Sequence, residues 1–255
     1  MRSTCSLKVT IITVAYNAAK TIGGTLDSVA RQSYPNVEHI IVDGASTDGT
    51  LSIIEQYRDK VAAVVSESDR GIYDAMNKGI VLAHGDVIGF LNADDVYANE
   101  GVLGRVASNM EREGVDALLG DVEFFRPGNP LRTVRRYRST HFSPDRIALG
   151  WMPAHPAIFL RRHVYQRYGT FRTDYRIAGD FEYVARIFSE NNLSYVCVPE
   201  TFVRMRTGGI STSGWRNTLL LNREVLRACR ENGIDTNMLK ILSKYPAKLL
   251  EFFVK

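Results

Sequence analysis

The sequence predicts an α/β protein with a mostly parallel central sheet and C-terminal helices. Two observations carry that expectation. Apolar strand-like runs alternate with amphipathic helical runs through the first half of the chain. That β-α repetition implies a parallel sheet with helices on both faces. From about residue 215 onward the pattern is helical only.

Each element has its own warrant. Residues 7 to 16, LKVTIITVAY, read as the first strand, and 19 to 31 as a helix with Ile22, Leu26, Val29 and Ala30 on one face. VEHIIVDG is the second strand and TLSIIEQYR the second helix, with Thr47 or Asp48 as its N-cap. VAAVVSE is the third strand, IYDAMNKGIVLAH the third helix and DVIGFL the fourth strand. Near Gly120 the pattern changes: GDVEFFRPGNPLRTVRRYR reads as a β-hairpin turning at Pro127-Gly128-Asn129-Pro130. Residues 139 to 205 are mixed, and 215 to 255 read as two helices.

Size and composition narrow the class. A chain of 255 residues, 45% hydrophobic and 24% charged, can bury one sizeable core. Net charge is +4, and the isoelectric point is about 8.9. That is mildly basic, suited to anionic substrates or a lipid surface and too weak to argue for nucleic acid. Cys5, Cys197 and Cys229 are far apart and form no CxxC, so neither a disulfide framework nor a zinc site is expected, and a reducing cytoplasm fits. No run has the length of a membrane span, which leaves a partner met from solution or at a membrane surface.

The chemistry gathers where strands end, because parallel α/β sheets bind ligands at the carboxyl ends of their strands. Asp94 and Asp95 follow the fourth strand in DVIGFLNADDVY. Adjacent carboxylates there repel each other and lose hydration, and a hard divalent cation, Mg2+ or Mn2+, offsets that cost. The alternative is a pair of helix caps. Asp43 ends the second strand, where a carboxylate can accept a base N–H or a ribose hydroxyl. Tyr16 closes the first strand and either stacks on a nucleobase or caps the core. Asp69 either contacts the base or caps a helix, and Arg70 and Lys78 are phosphate contacts or plain surface charges. His155 either orders an acceptor, touches phosphate or is structural.

In AGDFEYVARIF, helical spacing puts Asp180 and Tyr183 on one face and turns Glu182 away, although Glu182 stays among the acceptor or phosphate contacts. An Asp180 facing the cleft can take a proton from a hydroxyl; otherwise it is an N-cap. TGGIST, residues 207 to 212, follows Arg204 and Arg206 and either closes over a diphosphate or is a turn. Arg132, Arg135, Arg136 and Arg138 crowd one strand. Lys240, Lys244 and Lys248, beside Leu239, Leu242, Leu249, Phe252 and Phe253, suit a basic helix lying on an anionic bilayer, although Pro246 interrupts it.

VTIITVAYNA, VDGASTDGT, SDRGIYDAMNKGI, FLNADD and AGDFEYVARI stand in an order and spacing that resemble inverting family-two glycosyltransferases of the GT-A fold. The resemblance covers roughly residues 7 to 212 and is closest to non-processive bacterial enzymes of surface polysaccharide or glycolipid synthesis, such as the colanic-acid type. It implies a single Rossmann-like GT-A domain over 1–212, with 7–95 as the nucleotide half, 96–212 as the acceptor half and 213–255 as a helical extension. It implies that Tyr16, Asp43 and Asp69 bind nucleobase, that the metal motif falls on Asn92, Ala93 and Asp94, and that Asp180 is the catalytic base. Two positions depart from the family pattern: Asn92 replaces its usual Asp, and Gly179 replaces the acidic residue before the base. An amide carbonyl at Asn92 can still accept a ribose hydroxyl but carries no charge.

The expected activity is transfer from a nucleoside-diphosphate sugar, UDP first, to a hydroxyl of a saccharide or lipid-linked acceptor. The expected location is cytoplasmic, with the inner face of the inner membrane as an open partner. A non-catalytic sugar-nucleotide binding protein is the competing reading. A nicotinamide dehydrogenase would need G-x-G-x-x-G after the first strand, where this chain has Tyr16-Asn17-Ala18-Ala19.

Overall fold

Val9–Ala15 are seven consecutive buried residues and form β1. In the computed structural model, which describes residues 7–189, 192–208 and 214–245, β1 leads into α1 (Ile22–Ala30), β2 (Val37–Asp43), α2 (Thr50–Glu55), β3 (Ala63–Ser66), α3 (Ile72–Leu82) and β4 (Val87–Phe90). The short β5 (Val96–Tyr97) and α4 (Val102–Glu113) follow, then the hairpin β6 (Ala117–Arg126) and β7 (Asn129–Tyr137). The chain continues through β8 (Ile158–Arg161), α5 (Arg162–Tyr168), α6 (Gly179–Phe188), β9 (Tyr195–Arg206), α7 (Trp215–Glu231) and α8 (Met238–Leu242).

The strands build one sheet in the order β3-β2-β1-β4-β8-β6-β9-β5, with β7 paired to β6. β1, β2, β3 and β4 are mutually parallel; β8 inserts antiparallel, and β6 and β9 resume the first direction. The mostly parallel α/β sheet of the sequence reading is therefore present, and so is its hairpin.

Alternating side chains of β1 feed two cores, as the two-residue period of a strand requires. Ile12 and Val14 pack with Tyr73, Met76, Phe181 and Val184 from α3 and α6. Val9 and Ile11 pack with Leu103, Val106 and Met110 from α4. Each such aliphatic side chain contributes roughly 1.5–3 kcal/mol on burial. α7 lies against α6, with Val225, Ala228 and Cys229 in the first core. This packing leaves the carboxyl ends of β1–β4 on one edge, with the start of α6 against the first turn of α3.

Of the basic amphipathic C-terminal helix, only the part up to residue 245 is described. α8 ends at Leu242, Lys244 is buried against Gly150, and Lys240 pairs with Asp235 at 3.1 Å. Lys244 is thus taken into the fold, while Lys240 pairs at the surface. Lys248, Leu249, Phe252 and Phe253, the 209–212 part of the glycine loop and the 212 boundary lie outside the described residues.

Candidate active site

Three strand ends meet in register. Ala15 of β1 pairs with Asp43 of β2, and Asp43 pairs with Ser66 of β3. Tyr16, the next residue of the first strand run, leaves the core with 68% of its surface exposed. Asn17 then adopts a left-handed φ of 48°, a conformation asparagine tolerates. Its Oδ1 accepts the Thr47 N–H at 2.9 Å, and its own N–H donates to Ser46 Oγ at 2.8 Å, tying the two loops together.

Asp43 is fully buried. Its Oδ2 accepts the Ser46 N–H at 3.0 Å and the Ser66 hydroxyl at 2.8 Å, while its Oδ1 has no partner. A buried carboxylate oxygen without a donor is uncommon and calls for an explanation. Gly44 follows it. A Cβ there would collide with the Asp69 carboxylate and stand 3.4 Å from the Tyr16 ring, so both side chains lie over bare backbone. Asp69 is fixed by the Gly71 N–H at 2.9 Å. Asp48 accepts the Thr50 N–H at 3.1 Å beside the Gly49 cap of α2, a purely structural role.

The loop after β4 separates its two carboxylates. Asp95 is buried: its Oδ2 accepts from Asn92 Nδ2 at 3.1 Å, its Oδ1 from the Arg206 N–H at 3.2 Å, and its carbonyl from Thr25 Oγ at 2.8 Å. Burial, reinforced by the Asp94 charge, pushes its pKa up to about 8. Asp95 thus braces the loop from beneath, which corrects the expectation that it faces a metal. Asp94 is only partly buried; that burial also raises its pKa, against the pull of the Arg206 charge. Among the described residues no group of three or more His, Cys, Asp or Glu could hold an ion by itself. Asp94 by itself offers carboxylate oxygen, the donor type a hard cation takes, and not a complete ligand set.

Asp180 opens α6. Its Oδ1 accepts the Phe181 N–H at 2.8 Å and lies 3.3 Å from the Tyr73 hydroxyl, which also donates to the Ile177 carbonyl at 2.6 Å. His155 stacks on Phe90 at 5.2 Å and meets Phe171 edge-on at 5.6 Å. Burial holds its pKa down, opposed by the Asp180 charge, so the imidazole is neutral near pH 7 and within electrostatic reach of Asp180.

Two further candidates have partners within the fold. Glu182 is buried and paired with Arg186 at 2.9 Å, the i,i+4 geometry that turns it from the cleft. Lys78 is held by Glu67 and the Ser68 carbonyl, both at 2.9 Å. Arg70 stays exposed, bonded to Asp74 at 3.1 Å. It lines a cleft of about 170 Å³ with Tyr73, Asp74, Asp174, Tyr175 and Arg176. A larger cleft of about 560 Å³ lies by β5 and β9, where Arg105 pairs with Glu200 and Arg136 with Glu123. Arg204, the third arginine of its lining, lies over the Phe125 ring. Sequence reasoning missed Tyr73, whose signal was its place one turn after Asp69 in SDRGIYD.

Residues 10–188 match the family model described as Glycosyl transferase family 2. A PGL/p-HBAD biosynthesis glycosyltransferase of Mycobacterium bovis is 34% identical over 183 residues, 70% of this chain and 69% of the relative. TuaG of Bacillus subtilis, named for teichuronic acid biosynthesis, is 36% identical over 126 residues, 48% of this chain and 50% of that protein. S. aureus TarS 1-349 in complex with UDP-GlcNAc superposes with a TM-score of 0.68 at 20% identity, over 87% of this chain and 66% of that one. The mannosyltransferase PcManGT from Pyrobaculum calidifontis, in complex with GDP-Man and Mn2+, superposes at 0.64 and 21% identity, over 88% of this chain and 65% of that one. The chain thus spans about two thirds of the length of these solved structures, and at such identities the likeness is one of fold.

Proposed function

The chain belongs to glycosyl transferase family 2 and is a glycosyltransferase; from that premise we propose that it carries a sugar from a nucleoside-diphosphate sugar, UDP first, to an acceptor hydroxyl with inversion. The observation that carries the donor reading is Asp43 Oδ1, buried and unpartnered beside the exposed Tyr16 ring. A nucleobase stacked on Tyr16 would offer its imide or amino N–H to that oxygen, and Asp69 would border the same base. UDP-GlcNAc and GDP-Man in the structural relatives support a nucleotide sugar as the class of donor.

Asp94 would hold Mg2+ or Mn2+ jointly with the donor diphosphate, the ion offsetting charge on the leaving group. Arg206, whose charge reaches Asp94, adds a cation on the same side. Asp180 accepts the proton of the acceptor hydroxyl as the oxygen attacks the anomeric carbon from the face opposite the nucleotide. Tyr73 orients that carboxylate, and neutral His155 borders the acceptor side. Holding the two substrates in line supplies much of the acceleration.

The acceptor is a saccharide or a lipid-linked hydroxyl. A lipid surface nearby is supported by exposed Trp215 and Leu219 on α7 and Leu239 and Leu242 on α8, with Arg216 over the Trp215 ring. No described helix is long and apolar enough to cross a membrane.

The test is a thermal-shift panel of UDP-, GDP- and dTDP-sugars with and without Mn2+ or Mg2+. Acceptors are then added to the stabilising donor, and the anomeric configuration of the product is read by NMR. A UDP-sugar is expected to stabilise most, with an inverted product. Failure of every nucleotide sugar to stabilise the protein would sink the proposal, and a retained configuration would remove the single displacement.

A further inference from the structure

The N-terminus of α6 is held by a residue 44 positions downstream of Asp180. Glu224, buried in the middle of α7, accepts three consecutive backbone N–H groups: Arg176 at 2.8 Å on Oε1, and Ile177 at 2.9 Å and Ala178 at 2.8 Å on Oε2. These amides immediately precede Gly179 and Asp180 and curl around one carboxylate. Backbone N–H groups ahead of a helix have no intrahelical acceptor, and an ionised acceptor makes the stronger bond. The Ile177 carbonyl, on the other side of the same peptide run, is taken by Tyr73. Asp180 therefore starts from a segment fixed on both sides. A second tie joins α7 to the preceding loop. Arg227 pairs with Asp174, and Glu231 bonds Arg172 at 2.8 Å and Tyr175 at 2.6 Å.

We infer that Glu224 is a positioning residue for Asp180, so that α7 is part of the catalytic apparatus. The inference rests on Asp180 being the base. Glu224 acts on Asp180 through the backbone amides that precede it. It sets where the α6 N-terminus lies, and with it the distance from the Asp180 carboxylate to the attacking hydroxyl. A displacement of about 1 Å in such a group can cost about a hundredfold in rate.

Glu224→Gln keeps size and shape but turns one acceptor into a donor that faces an N–H. Rates are measured per donor-binding site, so unfolded molecules do not count, with Asp180→Asn as control. The expected result is a kcat lower by about tenfold or more, donor affinity within about twofold, and a displaced acidic limb of the kcat–pH profile. Glu224→Ala is expected to lose more than Glu224→Gln. Unchanged kcat, or kcat and donor affinity lost together, would overturn the inference. An active Asp180→Asn instead removes the base reading itself; an inactive Asp180→Asn beside a fully active Glu224→Gln removes only the role of Glu224.

Discussion

A Cβ on Gly179 would stand 2.7 Å from the ring of Tyr73. The absence of an acidic residue before Asp180, the proposed base, has a spatial cause here, because the ring occupies the place where a side chain would begin. Tyr73 uses that approach to reach both Ile177 and Asp180.

Gly179→Ala separates packing from catalysis. Alanine favours a helix over glycine by about 1 kcal/mol, so the substitution is not inherently unfolding. The ring must shift, and with it the hydroxyl beside Asp180. A kcat lower by roughly tenfold with unaltered donor affinity is expected from steady-state kinetics and titration calorimetry. Full activity would show that Tyr73 has no bearing on Asp180.

Asp43→Asn tests the nucleotide end. The amide can keep the Ser46 and Ser66 bonds through its oxygen, which puts the NH2 where the unpartnered oxygen lies. A donor N–H would then meet another donor. Donor affinity is expected to fall by about 1.5–3 kcal/mol, the worth of a hydrogen bond to a charged group, with kcat at saturation little changed. Calorimetry with the nucleoside diphosphate alone reads this; undiminished binding would move the nucleobase elsewhere.

The two carboxylates after β4 should behave differently when removed. Asp94→Asn is expected to abolish the gain in donor affinity given by Mn2+ while leaving Tm within a few degrees. Asp95→Asn is expected to leave the gain in place, because Asp95 braces the loop through Asn92 and Arg206. Thermal shifts with and without metal decide the pair. A metal response lost in Asp95→Asn but kept in Asp94→Asn would reverse the assignment.

What the sequence made legible follows from the range of the forces involved. β1–β4 and their helices were readable because burial of alternate faces is written as local periodicity. The gathering of Tyr16, Asp43 and Asp69 followed from one rule, that parallel strands end on one edge. Asp94 and Asp95 are adjacent in the sequence, yet the chain turns between Asn92 and Asp95, and only the distant bonds from Arg206 and Thr25 show that Asp95 is the one inside. Glu182 carried a local warning, its i,i+4 Arg186, whereas Lys78 is held by Glu67 from the loop ahead of its helix. Glu224 gave no local signal, because its partners are 46 to 48 residues away.

The pH dependence of stability follows from two buried groups that titrate with opposite sign. His39 in β2 lies with its Nε2 3.0 Å from Thr13 Oγ, and burial holds its pKa down to about 4. The unfolded chain, with a histidine pKa near 6.5, binds the proton first, so this group contributes stability above about pH 6.5 that is lost as pH falls to about 4. Asp95, pushed up to about 8, is the reverse. The folded state keeps its proton where the unfolded chain has lost it, so stability falls as pH rises from about 4 to about 8. Between about pH 4 and 6.5 the two slopes oppose each other, His155 adding to the histidine side and Asp94 to the carboxylate side; above 6.5 the carboxylates dominate. Stability of the parent protein should therefore change little over the lower window and decline toward pH 8. His39→Gln removes one of the two buried-histidine slopes, so its Tm should rise relative to the parent's as pH falls below 6.5. Asp95→Asn unmasks His39, and its Tm should drop as pH falls below 6.5. Glu38 and Asp116, whose pKa values are lowered, lose their contributions only at still lower pH and do not blur the comparison. Denaturant or thermal unfolding of the three proteins at half-unit pH steps measures these slopes. Parallel curves for all three would mean that neither group changes its proton on unfolding.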